Sequence, residues 1–393
     1  MKTKIQNSLM TIMFMMSINL SAQLTQKANF TGTSRMASSG CSINNIGYLI
    51  GGFDSIGARN DFWNYTADGD LWTQKANFPG NGRYGAVCVS VGKKIYYGTG
   101  LQTGNSFSKD FWEYDSESEI WTQKQNFPGA ARIYAVAFSI MNKIYLGTGT
   151  NGSSNYSDFW EFNPDSNKWT QKANFPGGNR SGAIGFSINN KGYLGTGTNG
   201  SVYYKDFWEF NSDSNKWTQK ANIGNFGRSG ASSFLIDNVP YVALGFEGGS
   251  KEKLLYYNIN DNTWNSSKSF DKIYRTGVVS FVIGKKLYFG TGTDSLFSVK
   301  YNDFFEFDPS LVNVTTINKE PNYLTIFPNP STGMVNINTN ETIEYINITD
   351  VNGKLVHHQT NNSPIDLSQH AKGIYFVNIT TEKGVINKKI VLN

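Results

Sequence analysis

Arginine is the residue whose type and spacing in this sequence point most directly to chemistry. Six of the seven arginines recur every 47 to 49 residues, at Arg35, Arg83, Arg132, Arg180, Arg228 and Arg275, and only Arg59 lies outside the series. A guanidinium group is a planar, permanently charged donor that pairs with carboxylate, sulfate or phosphate through two parallel hydrogen bonds. The series therefore predicts either repeated binding groups for an anion or repeated internal contacts.

Histidine chemistry is excluded from most of the chain, because the three histidines, His357, His358 and His370, all lie near the C-terminus. The residues before them offer no imidazole base, no histidine metal ligand and no Ser-His-Asp arrangement. Aspartates recur as regularly as the arginines, at Asp61, Asp110, Asp158, Asp206 and Asp303. This regularity favours a structural role, since a catalytic carboxylate pair normally breaks symmetry. We predict no catalytic residue, no metal and no cofactor, and the balance of the sequence is against an enzyme.

The elements that carry these residues repeat with the arginines. The clearest unit has four short strand-like segments, Trp169–Phe175, Arg180–Ile188, Lys191–Gly197 and Asp206–Phe210, joined by turns and polar loops. Four strands in a period of about 40 to 50 residues, with no helical periodicity, are typical of a β-propeller blade. We count six such units over residues 23–316. The last one lacks a final tryptophan strand, and we expect the strand at Leu24 to close the ring there.

At these residues the chain resembles the kelch family. The family's Arg-x-Gly-Ala pattern matches Arg180-Ser-Gly-Ala183, and its Tyr-Asp-Pro-x-x-x-x-Trp pattern matches Phe162-Asn-Pro-Asp-Ser-Asn-Lys-Trp169. The double glycine of the family is kept at Gly51-Gly52 and becomes Gly-Thr-Gly in other units, and the fifth unit departs most. The resemblance covers about three quarters of the chain and implies an all-β, six-bladed propeller. It implies no particular function, because this scaffold hosts many unrelated sites.

The propeller topology places each arginine at the loop before an innermost strand, so six guanidinium groups would lie around one mouth of the central channel. In kelch proteins that bind acidic peptides, arginines at this motif position line the pocket, and the resemblance lends that role to the series here. The alternative is that each arginine bonds a neighbouring carbonyl or aspartate and locks adjacent blades. Aromatic residues of the loops on the same face, notably Tyr156 and Tyr204, suit sugar or peptide recognition by stacking.

Both ends of the chain differ from the repeats between them. Residues 1–22 read as a signal peptide, with Lys2 and Lys4 before an apolar run of about ten residues that is too short to span a bilayer. Residues 317–322 read as a linker, and residues 323–393 as a small immunoglobulin-like β-sandwich. This tail resembles the C-terminal sorting domain of type IX secretion in Bacteroidetes, through Phe327-Pro-Asn-Pro-Ser-Thr-Gly333 and Gly373-Ile-Tyr-Phe-Val377. The resemblance implies the type IX machinery as a partner, and secretion or cell-surface attachment.

Charge and cysteine content narrow the remaining possibilities. The net charge is +5, and no lysine- or arginine-rich run of the nucleic-acid type occurs, so we predict no nucleic-acid partner. No segment has an apolar run long enough to span a bilayer, so we also predict no transmembrane segment. Cys41 and Cys88 lie six and five residues after their repeat arginines, so their side chains should face opposite sides of their strands. From this we predict two buried free thiols and no disulfide.

These observations favour a secreted or cell-surface binding protein that recognises an anionic glycan or an acidic peptide at an arginine-lined channel mouth. The first alternative is an enzyme on acidic sugars, similar to the kelch-type sialic acid mutarotases. Those enzymes work with arginine and carboxylates and need no histidine or metal, and carboxylates of raised pKa in the channel would favour this alternative. The second alternative is a structural module of the cell surface that binds no small ligand.

Overall fold

The structure is a computed structural model that describes residues 24–247, 254–267, 274–311, 325–339, 342–351, 354–381 and 384–393. The predicted signal peptide and linker lie outside these residues. The chain divides into two compact units, Met1–Asn313 and Val314–Asn393. Across the described ranges, no helix is both long enough and apolar enough to cross a membrane.

The first unit contains six four-stranded antiparallel sheets, which are the blades predicted from the repeats. The innermost strands are Ser39–Ile43, Val87–Val91, Val136–Ile140, Ile184–Ile188, Ser232–Ile236 and Val279–Ile283. The second strands are Ile46–Ile50, Lys94–Gly98, Lys143–Gly147, Lys191–Gly195, Val239–Ala243 and Lys286–Gly290. The third strands are Phe62–Thr66, Phe111–Asp115, Phe159–Asn163, Phe207–Asn211, Leu254–Asn258 and Phe304–Phe307. The outermost strands of blades 1 to 5 are Leu71–Lys75, Ile120–Lys124, Lys168–Lys172, Lys216–Lys220 and Thr263–Ser267.

The ring of blades closes through the N-terminal strand, as the sequence predicts. Leu24–Lys27 pairs antiparallel with Phe304–Phe307 and supplies the outermost strand of blade 6. The innermost strand of blade 1 contacts the innermost strands of both blade 2 and blade 6, so the circle of blades is complete. Closure leaves each blade packed between two neighbours, and this is how radial repetition protects the faces of antiparallel sheets.

Aromatic side chains fill the wedge between neighbouring blades. Phe159, at the start of the third strand of blade 3, meets Phe210 and Trp217 of blade 4 edge-on, with ring centroids 5.0 and 4.9 Å apart. The same trio recurs at four other interfaces, for example where Phe111 of blade 2 meets blade 3. Edge-to-face pairs at this separation add to the energy of simple burial. The high aromatic content, 15 % of residues, is therefore explained by the packing of the ring.

The two cysteines lie against each other, a contact that the sequence analysis did not predict. Their sulfur atoms are 2.7 Å from each other, although both are free thiols. Cys41 and Cys88 do point to opposite sides of their own strands. However, the side of blade 1 that carries Cys41 packs against the side of blade 2 that carries Cys88, so the two side chains meet. Both thiols are free, as the sequence predicted, with Cys41 buried and Cys88 only partly buried.

The second unit is a two-sheet β-sandwich. One sheet contains Thr325–Phe327, Met334–Asn338 and Ile365–Asp366, and the other contains Leu355–Gln359, Ile343–Thr349, Gly373–Thr381 and Gly384–Leu392. Their inner faces share a core that includes Val335, Ile346 and Val377, all fully buried. The two packed sheets agree with the β-sandwich that the sequence predicted for this tail.

Candidate functional site

The repeat arginines lie in the loops that precede the innermost strands, where the sequence placed them, but their side chains are buried. Arg35, Arg83, Arg132 and Arg180 are fully buried, and Arg228 and Arg275 are 2 % and 8 % exposed. A guanidinium group without surface cannot meet a ligand from solution unless the surrounding loops move. The burial of these groups therefore has to be explained by partners inside the protein.

Five of the arginines form bidentate ion pairs with the repeat aspartate of the same blade. The pairs are Arg35 with Asp61, Arg83 with Asp110, Arg132 with Asp158, Arg180 with Asp206, and Arg275 with Asp303. In the Arg132 pair, for example, Nη1 and Nη2 donate to the two carboxylate oxygens of Asp158 at 2.6 and 2.9 Å. Each pair ties the loop before the innermost strand to the loop between the second and third strands.

The remaining donors and acceptors of these pairs are satisfied too. In blade 3, Arg132 Nη1 also donates to the carbonyl of Thr148 at 2.7 Å, and its Nε donates to the carbonyl of Ala130 at 2.8 Å. Asp158 accepts a further bond from the indole N–H of Trp160 at 2.9 Å. In blade 2, burial alone would raise the pKa of Asp110, but the hydrogen bonds and charge of Arg83 outweigh it and lower that pKa below the usual range. The carboxylate of Asp110 therefore stays ionised at neutral pH.

The main chain of each arginine, and not its side chain, joins neighbouring blades. The last glycine of each glycine motif, which in blade 5 is the single glycine Gly245, donates its N–H to the carbonyl of the arginine in the next blade, at distances of 2.7 to 3.1 Å. This bond occurs at all six interfaces, including the one from Gly292 of blade 6 to Arg35 of blade 1. At Gly197, where φ is +91°, an added Cβ would lie 2.8 Å from the carbonyl oxygen of Ser181. Glycine is therefore required there by both conformation and close approach.

Together these contacts favour the internal interpretation of the arginine series over direct ligand contact. The side chain fastens two loops within a blade, and the carbonyl of the same residue fastens that blade to its neighbour. Both kinds of partner that the sequence suggested, a carbonyl and an aspartate, are present. The guanidinium groups do not point freely into the channel.

Tyr156 and Tyr204, the two tyrosines singled out from the sequence, lie directly against the arginines. The guanidinium carbon of Arg132 is 4.3 Å from the ring centroid of Tyr156, and that of Arg180 is 4.0 Å from the ring of Tyr204. Both tyrosines are partly exposed. Stacking on a fixed cation orients each ring. A role for these two residues in ligand binding stays a prediction.

A second ring of six residues surrounds the channel mouth, two positions after each arginine. All six have a positive φ of 54 to 63°, and four of them are glycines: Gly85, Gly182, Gly230 and Gly277. Their main chains bond from blade to blade, for example from the N–H of Gly182 to the carbonyl of Tyr134 at 3.0 Å. Left-handed backbone is a conformation that glycine adopts without strain. The two exceptions, Ala37 and Tyr134, therefore break the pattern at a conformational cost.

Tyr134 is the functional candidate that the sequence reasoning missed. The residue is 38 % exposed at the mouth. Its ring lies against Gly85 of blade 2, where an added Cβ would come within 2.8 Å of the tyrosine Cε1. The signal was present in the repeats, because Arg132-Ile-Tyr134 stands where Arg180-Ser-Gly182 stands in the next unit. A large side chain at a position that favours glycine points to a purpose beyond folding.

The mouth is chemically divided although the scaffold is nearly symmetric. The residue after the arginine is Met36, Tyr84 or Ile133 in blades 1 to 3, and Ser181, Ser229 or Thr276 in blades 4 to 6. These residues pair with the loop that follows the glycine motif, as in Met36 with Phe53 and Ser181 with Thr198. One half of the mouth is thus apolar or aromatic, and the other half carries hydroxyl groups.

The carboxylates on this face are held by fixed partners. Asp54 accepts bonds from the Thr33 hydroxyl at 2.7 Å and from the N–H of Ile56 at 2.8 Å, and it pairs with Arg59. Burial would raise the pKa of Asp54, but these bonds lower it. Hydrogen bonds from Ser298 and neighbouring N–H groups lower the pKa of Asp294 as well. Within the described ranges, no group of three or more His, Cys, Asp or Glu side chains could hold a metal ion.

A glutamate recurs in the third strand of four blades, at Glu113, Glu161, Glu209 and Glu306. Glu161 accepts bonds from the Tyr145 hydroxyl at 2.8 Å and the Lys143 ammonium at 2.7 Å, with Lys172 at 3.2 Å. The same arrangement recurs around Glu113, Glu209 and Glu306. The recurrence of these bonds in four blades favours a structural role for the glutamates.

Comparison with known proteins agrees with this architecture. Residues 41–245, just over half of the chain, match the family model described as the KLHDC2/KLHL20/DRC7 Kelch-repeats domain. The chain belongs to the kelch-repeat family. The solved structure of YjhT is similar in fold, with a TM-score of 0.60 and 16 % sequence identity over 70 % of this chain and 95 % of that one. No curated protein matches the chain significantly.

The tail of this kelch protein matches a second family model. Residues 325–393 match the secretion system C-terminal sorting domain, in agreement with the type IX sorting tail expected from the sequence. The protein is therefore a secreted or cell-surface kelch protein, and its tail addresses it to the type IX machinery. These matches do not specify a ligand.

Proposed function

We propose that this kelch protein is a non-catalytic binding protein that recognises an anionic glycan or an acidic peptide on the face of the propeller that carries the arginine loops, here called the mouth face. The proposal keeps the ligand class and the place that the sequence suggested. It changes the role of the arginines, which now hold the loops that present the binding residues.

One observation carries the proposal: exposed apolar side chains are concentrated on the mouth face. Of the large hydrophobic residues that are exposed in the described part of the propeller, nine lie on its loops: Ile56, Tyr134, Val202, Tyr203, Phe226, Tyr274, Leu296, Phe297 and Val299. The other three, Leu71, Ile120 and Met141, lie toward the opposite face. Aromatic residues clustered beside polar groups are typical of surfaces that bind sugars or proteins.

The charges of the mouth face support an anionic ligand. Its described carboxylates are engaged, as shown for Asp54 and the repeat aspartates. By contrast, Lys109 and Lys205 are exposed and have no carboxylate within ion-pair distance among the described residues. Lys300 lies 5.4 Å above the ring of Phe53, at the apolar half of the mouth. A ligand with negative charge and an apolar face would find partners for both.

No observation favours the enzyme alternative. An enzyme on acidic sugars would need a carboxylate with a raised pKa near the ligand, whereas the pKa values of Asp54, Asp110 and Asp294 are lowered by their hydrogen bonds. The alternative of a structural module differs from the proposal in a measurable way, because it requires no small ligand at all.

The test is an array of sulfated and carboxylated glycans and acidic peptides, probed with the full-length protein. Tyr134→Gly is the sharpest variant, because it restores the glycine found at the equivalent position of four other blades and removes only the side chain. Tyr203→Ala and Tyr204→Ala test the neighbouring loop. We expect each variant to weaken binding about tenfold or more, as for buried aromatic anchors at interfaces. Met141→Ala, on the opposite face, is the matched control and should bind normally.

Two results would overturn the proposal. In the first, Met141→Ala loses binding while the three tyrosine variants bind normally, which would place the site on the opposite face. The second is the absence of binding across the array, which would favour a structural module.

A further inference from the structure

The only two cysteines of the chain meet across one interface between blades. Cys41 lies on the innermost strand of blade 1 and Cys88 on the innermost strand of blade 2, with their sulfur atoms 2.7 Å apart. Cys41 is buried and Cys88 is partly buried. The two strands are held together beside the sulfurs by a hydrogen bond from the Ser39 hydroxyl to the carbonyl of Ala86 at 2.7 Å.

The other blades show what these two positions normally contain. The position of Cys41 is occupied by valine or phenylalanine in the other five units, and the position of Cys88 by glycine, alanine or serine. At the next interface the equivalent pair is Val89 and Ala137. Each of those pairs sets a larger apolar side chain against a small residue, as where Phe138 packs against Gly185. The contact between blades 1 and 2 departs from this pattern at both positions together.

We propose that Cys41 and Cys88 are joined by a disulfide bond in the exported protein. The sorting tail sends the chain out of the cytoplasm, and disulfides form and persist in the compartments beyond it. The oxidant is the disulfide of a thiol oxidoreductase in the cell envelope. One cysteine thiolate attacks that disulfide and releases one thiol of the oxidant. The second cysteine then attacks the mixed disulfide and releases the other thiol. Two S–H bonds are lost and one S–S bond forms, while the oxidant gains two electrons and two protons.

The surroundings of the sulfurs indicate when the bond forms. Burial, with a smaller contribution from Cys41, raises the pKa of the Cys88 thiol well above its usual value. Because the thiolate is the reactive form, the closed propeller reacts slowly with oxidants and reductants. The bond therefore forms while blades 1 and 2 are still assembling. Once closed, it resists reduction and staples the innermost strands of the two blades.

The experiment isolates the full chain after export from a host with type IX secretion. The protein is denatured in an alkylating reagent without reductant, digested and analysed by mass spectrometry. We expect peptides containing Cys41 and Cys88 to be linked to each other and neither cysteine to be alkylated. Alkylation of both cysteines, or linkage of either cysteine to another molecule, would overturn the proposal.

A second measurement tests whether the disulfide stabilises the propeller. The variant Cys41→Val/Cys88→Ala copies the pair found at the next interface, so it should fold. Reductant added during thermal unfolding should lower the midpoint of the wild type by roughly 5 to 10 °C, as expected for a bond that closes a loop of this length. The variant should show no such shift. An equal response of the two proteins to reductant would contradict the proposal.

Discussion

Replacing Arg83 with methionine should destabilise the propeller by about 3 to 5 kcal/mol, because it leaves the carboxylate of Asp110 without its cation. The wild-type Arg83 side chain is fully buried and that of Asp110 is only 19 % exposed. The guanidinium also donates to the carbonyls of Thr99 and Asn81, at 3.0 and 3.2 Å, and these acceptors would be left unpaired. Methionine fills similar space, so the loss is electrostatic and does not come from a cavity.

The destabilisation should depend on pH in a defined direction. In the wild type, the pKa of Asp110 is lowered, so its contribution to stability is present above the unfolded-state pKa and disappears as the pH falls through the folded-state value. Without Arg83, burial dominates and the pKa of Asp110 should rise instead. The difference in stability between the two proteins should therefore be largest near pH 7 and should shrink below about pH 4.

Urea denaturation followed by tryptophan fluorescence measures both effects, since the chain has nine tryptophans. With a slope of about 3 kcal/mol/M, the midpoint at pH 7 should fall by about 1 to 1.7 M. Lys93→Met is the control from the same blade, because the Lys93 and Glu117 side chains are 57 % and 67 % exposed, and its midpoint should not move. A variant Arg83→Met that is as stable as the wild type, or whose deficit is the same well below pH 4 as at pH 7, would refute the structural role of the arginine series.

Three further predictions concern the ring. Glu161→Gln should lower the stability of the propeller at pH 7 and should match the wild type more closely below about pH 4. Burial would raise the pKa of Glu161, but its lysine and tyrosine partners lower it, so the wild type loses this stabilisation when the carboxylate is protonated. Urea denaturation at the two pH values measures the difference. Gly149→Ala should cost about 1 to 3 kcal/mol more than Gly200→Ala in the same assay, because both have φ near +95° but only the first is crowded by backbone. Equal costs would show that conformation alone matters there. Deleting residues 24–27 should expose the edge of Phe304–Phe307 and cause aggregation, measurable by size-exclusion chromatography; a monomeric deletion variant of unchanged stability would contradict closure by this strand.

Much of the fold was predictable because the repeats carry it six times over. Strand positions in the clearest unit were predicted to within a few residues, since the tryptophan, arginine and glycine signals recur at fixed offsets. Closure by Leu24–Lys27 was also predictable, because a strand of the right sequence stood at one end and its counterpart was missing at the other. The sandwich of the tail followed from alternating residues in its longer strands.

The site was less predictable, because the sequence gives the positions of residues and not their partners. The residue type and spacing of Arg132 would be the same whether its side chain were buried and paired or exposed to solvent. Only the fold shows that Asp158 reaches Arg132 from 26 residues along the chain. The cysteine contact was missed for a related reason, since it depends on how two blades face each other.

The amino-acid sequence by itself therefore determined the blade, the number of blades, the closing strand and the sorting tail, because each follows from local patterns that repeat or match as linear strings. The tertiary structure decided which charges are satisfied, which aromatic residues remain exposed on one face, and that Cys41 meets Cys88. These properties depend on distances between segments about 26 to 50 residues apart, and such distances exist only after loop closure and packing have brought those segments together.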